Sequence, residues 1–298
     1  MTAAAGGMVG TRRRHPRASR LGVHLVLISL SIVWLVPILW TFYIALRTVG
    51  DTEVNGYFSL PSALTLQNFV DAWNQGSMAQ SFVNTAIITI PAVPLTLLIS
   101  AMLGFVFSRF SFRANLFLLM LFTAGNLLPP QVIIVPLYRM YLLLPLPQPL
   151  SSYGIWYDSY FGVILINTVF QTGFCTFVLS NYMKTISREL TEAALVDGAT
   201  VLRTFWSVIL PLTRPALAAL AVLEFTWIYN DFFWALMLMS TGSKRPITSA
   251  LNNLSGSFFT NHNLVAAAAF IVAVPTVIMY ILLSKQFVRG LTLGSTKG

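Results

Sequence analysis

Six long apolar stretches, at residues 22–46, 81–107, 116–138, 159–182, 214–239 and 264–286, constrain this chain more than any other feature. Each is long enough to cross a bilayer, which takes about 20 apolar residues at roughly 1.5 Å of helical rise apiece. Of the 298 residues, 56% are hydrophobic and 9% are charged, whereas soluble domains carry about a quarter charged residues. The expectation is an all-α integral membrane protein with six transmembrane helices. No repeat or low-complexity tract interrupts it, so residues 22–298 read as one membrane domain behind a disordered basic segment, 1–21.

The net charge of +9 raises the possibility of a nucleic-acid partner, but the placement of the charges argues against one. With the N-terminus inside, the cytoplasmic side holds Arg12, Arg13, Arg14, Arg17, Arg20, Arg109, Arg113, Lys184, Arg188, Arg203, Arg214, Lys285, Arg289 and Lys297. Only Arg47, Arg139, Lys244 and Arg245 then lie outside. The positive-inside rule therefore predicts an N-in, C-in topology. The first apolar stretch exceeds the roughly 7–15 residues of a cleavable signal core and reads as an uncleaved span. Cys175, the one cysteine, falls in the fourth span, where it serves as a small buried hydrophobe and excludes an internal disulfide.

The third span contains Pro129, Pro130 and Pro136. Each removes a backbone donor and clashes with the preceding turn. A break there suits either a segment lining a pathway or a simple kink near the outer surface. The outer loop 47–80 gathers Asp51, Glu53 and Asp71, and Tyr138, Tyr141, Tyr153, Trp156, Tyr157 and Tyr160 form an interfacial aromatic belt around the loop 139–158.

The loop 183–213 is polar and amphipathic although it joins two spans. Ser187 is placed to cap a helix whose first turns carry Glu189 and Glu192. Leu190, Ala193, Ala194 and Asp197 share one side of it, and Gly198 permits the turn that ends it. Thr200 starts a second short helix with apolar Phe205, Trp206 and Ile209, stopped near Pro211. A helix lying flat on the headgroups is the alternative, but two acids facing an anionic leaflet count against it.

Glu192-Ala193-Ala194-Leu195-Val196-Asp197-Gly198-Ala199, closing at Ile209-Leu210-Pro211, resembles the EAA loop of bacterial ABC-importer membrane subunits. The likeness extends to Pro129-Pro130-Gln131-Val132-Ile133-Ile134-Val135-Pro136-Leu137-Tyr138 and to Tyr229-Asn230-Asp231-Phe232-Phe233-Trp234, where Tyr229 stands in place of the usual Trp. Leu60-Pro61 followed by Leu64 to Phe69, and the C-terminal run from Arg289 to Gly298, add to it. Together these motifs resemble the second, maltose-type permease subunit of carbohydrate ABC importers. The resemblance implies a type I importer permease fold in a bacterial inner (plasma) membrane, with a cytoplasmic coupling helix. It also implies a second permease subunit forming a heterodimer, two ATPase subunits holding ATP and magnesium, and an extracytoplasmic solute-binding protein. By the same resemblance Glu192, Ala193, Ala194, Asp197 and Gly198 contact the ATPase. Lys244, Arg245, Asn252, Asn253 and Gly256 of the last outer loop face the solute-binding protein.

Glu224 falls about 14 Å into a core of about 30 Å, counting from Pro215. An acid at that depth is either a functional group facing a cavity or one hydrogen-bonded to a neighbouring helix. With Trp227, Tyr229, Asn230, Asp231 and Trp234 it makes up a candidate substrate pathway, combining polar groups for hydroxyls with flat aromatic faces.

The chain has no phosphate-binding loop and neither a zincin nor a serine-hydrolase motif, so it reads as a transport subunit without cofactor or enzymatic activity. An ion-coupled secondary transporter using Glu224 and Asp231 is the alternative, but it leaves the polar loop without a task. An ABC permease for a non-sugar solute, such as a glycerol phosphate derivative, is a further alternative.

Overall fold

The computed structural model describes residues 17–254 and 260–292. Most of the basic segment 1–21, Gly256 and the final residues of the C-terminal motif lie outside them. In chain order the helices are α1 (Arg17–Ala45), α2 (Val49–Asn55), α3 (Gln67–Gln75), α4 (Met78–Arg109), α5 (Asn115–Leu127), α6 (Pro130–Leu143) and α7 (Tyr160–Lys184). After them come α8 (Arg188–Val196), α9 (Val201–Thr204), α10 (Leu210–Leu212), α11 (Arg214–Tyr229), α12 (Phe233–Leu238), α13 (Ile247–Leu251) and α14 (His262–Thr292).

Among the described residues, four helices are long and apolar enough to span a membrane unaided: α1, α4, α7 and α14. The third expected span is broken. α5 and α6 meet at 95° because Pro129 and Pro130 cannot donate into a continuous ladder, and Pro130 instead opens α6 at its first position. The fifth is also broken, which the continuous stretch 214–239 did not predict. α11 has 16 residues and so reaches only about 24 Å. It stops where the Asn230 side chain donates back to the Thr226 carbonyl at 2.8 Å, and α12 starts where Asp231 Oδ1 accepts from the Trp234 N–H at 3.1 Å. The outer loop 47–80 contains α2 and α3, and a short connection joins the end of α4 at Arg109 to the start of α5 at Asn115.

α4 and α7 form the central pair. They approach closely because Gly104 has no Cβ; one built there would lie 3.1 Å from the Ser180 nitrogen. Gly173 does the same for α5, where a Cβ would run into the Phe122 carbonyl oxygen. Small residues at such crossings are how helices associate in lipid, where burying apolar surface supplies no drive of its own. One core cluster, with Phe105, Leu179, Met183, Phe205, Ile209 and Leu220, joins α4, α7 and α11 to the polar loop; a second gathers Ile88, Tyr141, Ile166 and Trp234. The apolar stretch of α1, by contrast, is left exposed.

Candidate functional site

The polar loop builds itself from local contacts. Ser187 Oγ accepts from the Glu189 N–H at 3.2 Å, capping α8 as its sequence predicted. At the other end the Gly198 N–H donates to the Leu195 carbonyl at 3.0 Å and the Ala199 N–H to the Ala194 carbonyl at 2.9 Å. This bond pair is the Schellman closure, and it holds Gly198 at φ +80°, a conformation side chains resist. Thr200 Oγ1 then accepts from the Arg203 N–H at 3.3 Å to start α9. A π-turn, Phe205–Ile209, follows, in which the Leu210 N–H reaches back to Phe205 O. Pro211, which lacks an N–H, comes directly after the widened turn.

No residue of α8 is buried. Glu192, Ala193, Asp197 and Gly198 are exposed and Ala194 is half-buried. Leu190, Leu195 and Val196 also stand open, Val196 at 87% exposure. The loop is nonetheless fixed to the membrane domain. Phe205 and Ile209 sink into the α4–α7–α11 core, and Arg109 Nη1 at the end of α4 donates to the Ile186 carbonyl at 3.0 Å.

A second site lies where the two broken spans face α7. A cleft of about 310 Å³ is lined by Asn126, Pro130, Asn167, Phe170, Gln171, Trp227, Asp231, Phe233 and Trp234. Asp231 Oδ2 accepts from Asn167 Nδ2 at 3.5 Å, and Asn126 Nδ2 donates to the Phe170 carbonyl at 2.8 Å. Phe170 and Trp234 meet edge to face at 5.6 Å. The cleft therefore offers amides and a carboxylate beside aromatic walls.

Of the six pathway candidates, Trp227, Asp231 and Trp234 come together here. Asn230 is exposed and turned back on its own helix, and Tyr229 is buried, donating to the Val272 carbonyl of α14 at 2.9 Å. Glu224 does not line the cleft. It is fully buried in the seam between α11 and α7, where Cys175 Sγ donates to its Oε1 at 3.0 Å. This geometry matches the hydrogen-bonded alternative for Glu224. Trp227, one turn further on, packs against Phe174 at 5.2 Å. The sequence reading missed Asn126, Asn167, Gln171 and Phe170; single polar residues inside otherwise apolar helices were the available signal for the first three.

The outer loops consume much of their own polarity. Lys244 Nζ lies 3.3 Å from Asp158 Oδ2 and also donates to the Asp158 carbonyl and Ser152 Oγ. The fully buried Asp158 further accepts from the backbone of Ser240 and Thr241 and from Thr241 Oγ1. Burial pushes its carboxyl up, but the Thr241 and Ser240 hydrogen bonds and the Lys244 charge outweigh this and hold it below its ordinary value. Lys244 is thus held inside the chain. Arg245 is half-buried and its carbonyl accepts from Asn84 Nδ2, while Asn252 is exposed. Asn253 sits on a short 3-10 turn, Asn252–Leu254, and Gly256 lies outside the described residues.

Residues 96–286 match the model of a family described as the inner membrane component of binding-protein-dependent transport systems. A probable ABC transporter permease protein, YurM of Bacillus subtilis, is 33% identical over 276 residues, covering 93% of this chain and 87% of the relative. The melibiose/raffinose/stachyose import permease protein MelC of the same organism is 30% identical over 262 residues, covering 86% and 91%. Among solved structures, a chain of a bacterial ABC transporter that imports the acidic polysaccharide alginate superposes with a TM-score of 0.74 at 21% identity, covering 92% of this chain and 99% of that one.

Proposed function

The chain belongs to the family of inner membrane components of binding-protein-dependent transport systems, and on that premise we propose that it is one half of the membrane channel of an ATP-driven carbohydrate importer. The observation that carries the reading is α8. A helix that is capped at both ends, yet buries none of its residues and presents Leu190, Leu195 and Val196, is complete in itself and suited to another protein's groove. That protein is a cytoplasmic ATPase, present in two copies and holding the ATP and magnesium. Glu192, Ala193, Ala194, Asp197 and Gly198 form the contact.

Movement of α8 reaches the membrane through two rigid links, the buried Phe205 and Ile209 and the Arg109–Ile186 bond. Both lead into α4, α7 and α11, and α7 and α11 flank the cleft. The reading takes a six-span, N-in, C-in topology in which the bent pair α5–α6 counts as one crossing and α11 continues through α12 as another. The 74° bend at the start of α11 then marks where the polar loop meets the membrane. The cleft, open beside Asn126, Asn167, Gln171 and Asp231, contributes to the sugar pathway together with a second permease chain. An extracytoplasmic solute-binding protein delivers the sugar to the outer loops, where Asn252 and Arg245 remain candidates for the contact.

Purifying the tagged chain from its native membrane tests the reading. A second six-span subunit and an ATPase are expected to accompany it, and the ATPase is expected to be lost in Gly198→Val. A chain that purifies alone and transports on an ion gradient without ATP would refute it.

A further inference from the structure

Arg109 ends α4 at the foot of the polar loop, and its guanidinium is used on one side only. Nη1 donates to the Ile186 carbonyl at 3.0 Å. Nε and Nη2, the adjacent pair that forms the side-on edge of a guanidinium, are buried and without a hydrogen-bond partner among the described residues. Arg47 shows what such an edge accommodates: its Nε and Nη2 both reach Asp51 Oδ2 at 2.7 Å. Arg109 makes no comparable ion pair among the described residues.

Arg109 shares a cleft of about 150 Å³ with a second cation, Arg188, and with one exposed acid, Glu192, and the walls include Phe105, Phe110 and Leu195. Thr191 Oγ1, on the same cleft, is also buried without a partner. Two guanidinium groups in one cleft repel each other, and buried donors left unmatched are destabilising. Glu192 offsets one of the two charges but makes no hydrogen bond to the Arg109 edge. An oxyanion fills that edge with two of its oxygens and balances the remaining cation.

The surroundings favour an amphiphile over a free ion. The cleft sits where the apolar α4 ends, with Phe105 and Phe110 on its walls beside the two cations. Basic pockets at the cytoplasmic ends of spans suit anionic headgroups. We propose that this cleft binds the headgroup phosphate of an anionic phospholipid, held bidentate by Arg109, with Arg188 as second cation and Thr191 as hydroxyl donor. The assignment to the cytoplasmic leaflet rests on the topology proposed above. The lipid ties the foot of α8 to the membrane surface, at the point where α8 moves against α4.

The test uses the chain with its co-purifying subunits, reconstituted in phosphatidylcholine vesicles carrying a graded share of phosphatidylglycerol. After extraction, retained lipid is counted by native mass spectrometry. Wild type is expected to retain phosphatidylglycerol over phosphatidylcholine, and Arg109→Gln combined with Arg188→Gln to lower that retention about tenfold. Arg109→Lys keeps the charge without the fork and falls between them, and the exposed Arg113→Gln matches wild type. Equal retention in wild type and the double variant, or no preference between the two lipids, overturns the proposal. Displacement by millimolar inorganic phosphate would assign the cleft to a free anion and overturn it too. So would loss of the ATPase from the double variant in pure phosphatidylcholine, which would assign the edge to an acid of that subunit. Labelling of Arg113→Cys from outside intact cells would refute the topology while leaving lipid retention unchanged, so the two readings fail separately.

Discussion

The polar loop of α8 and the outer loops joined by Asp158 are both rich in polar groups, yet they use them in opposite ways. α8 satisfies its ends within a few residues, through Ser187, Gly198 and Thr200, and buries nothing. Asp158 instead gathers groups more than 80 residues away, from Ser240, Thr241 and Lys244. A segment completed locally leaves its faces open to a partner. One completed by distant partners is committed to its own fold, and its charges are no longer free for recognition. For that reason Glu192 stands open whereas Lys244, which looked equally exposed along the chain, does not.

Substitutions that separate stability from assembly test this contrast. The largest stability loss is expected at Asp158→Ala, which removes the carboxylate beside Lys244 and leaves the Ser240 and Thr241 backbone N–H groups and Thr241 Oγ1 without their acceptor. That is on the order of 3 kcal/mol, seen as a lower melting temperature in detergent; a loss below 1 kcal/mol would erase the distinction. Gly198→Val moves stability less, about 1–2 kcal/mol for a side chain at positive φ. Space around Gly198 is open, so the strain is confined to the turn. Thermal unfolding should change little while ATPase co-purification drops sharply, and the reverse pattern would make α8 a folding element.

The Arg47–Asp51 pair extends the comparison to pH. The Arg47 hydrogen bond, followed by those from Ser62 and Asn55, holds the Asp51 carboxyl well below the ordinary carboxylate range. A depressed folded-state value means that the contribution is full above the unfolded value near pH 4 and is lost as pH falls through the folded one. Melting scans stepped down from pH 5 should therefore fall more steeply in wild type than in Asp51→Asn, and parallel curves would remove the pair from the account. The smallest effect is expected at Ser187→Ala, about 1 kcal/mol of local helix stability. Hydrogen exchange confined to the first turn of α8 would register it, and a change spreading into α7 would contradict local completeness.

Some of this was legible along the chain because the interactions concerned are short in sequence. Span-length apolar runs, the capping Ser187, the αL turn at Gly198 and the proline break between α5 and α6 each depend on neighbours within a few positions. The cleft was only half legible: Trp227, Asp231 and Trp234 sit within eight residues, whereas Asn126, Asn167 and Gln171 come from other helices. The break between α11 and α12 was not legible because residues 214–239 are mostly apolar and carry no proline or glycine at the break. It is marked only by Asn230 donating to the Thr226 carbonyl and Asp231 accepting from the Trp234 N–H.

Hydrophobic length, charge placement and local capping thus came from the order of the residues alone, since a helix end or an apolar run is decided over one or two turns. Which buried acid faces a cleft and which is sealed against Cys175, and which lysine is spent on Asp158, came only with the packing of α7 against α11 and of one outer loop against another. Those outcomes depend on contacts between residues 49 to 86 positions apart, and no local pattern encodes the distance between them.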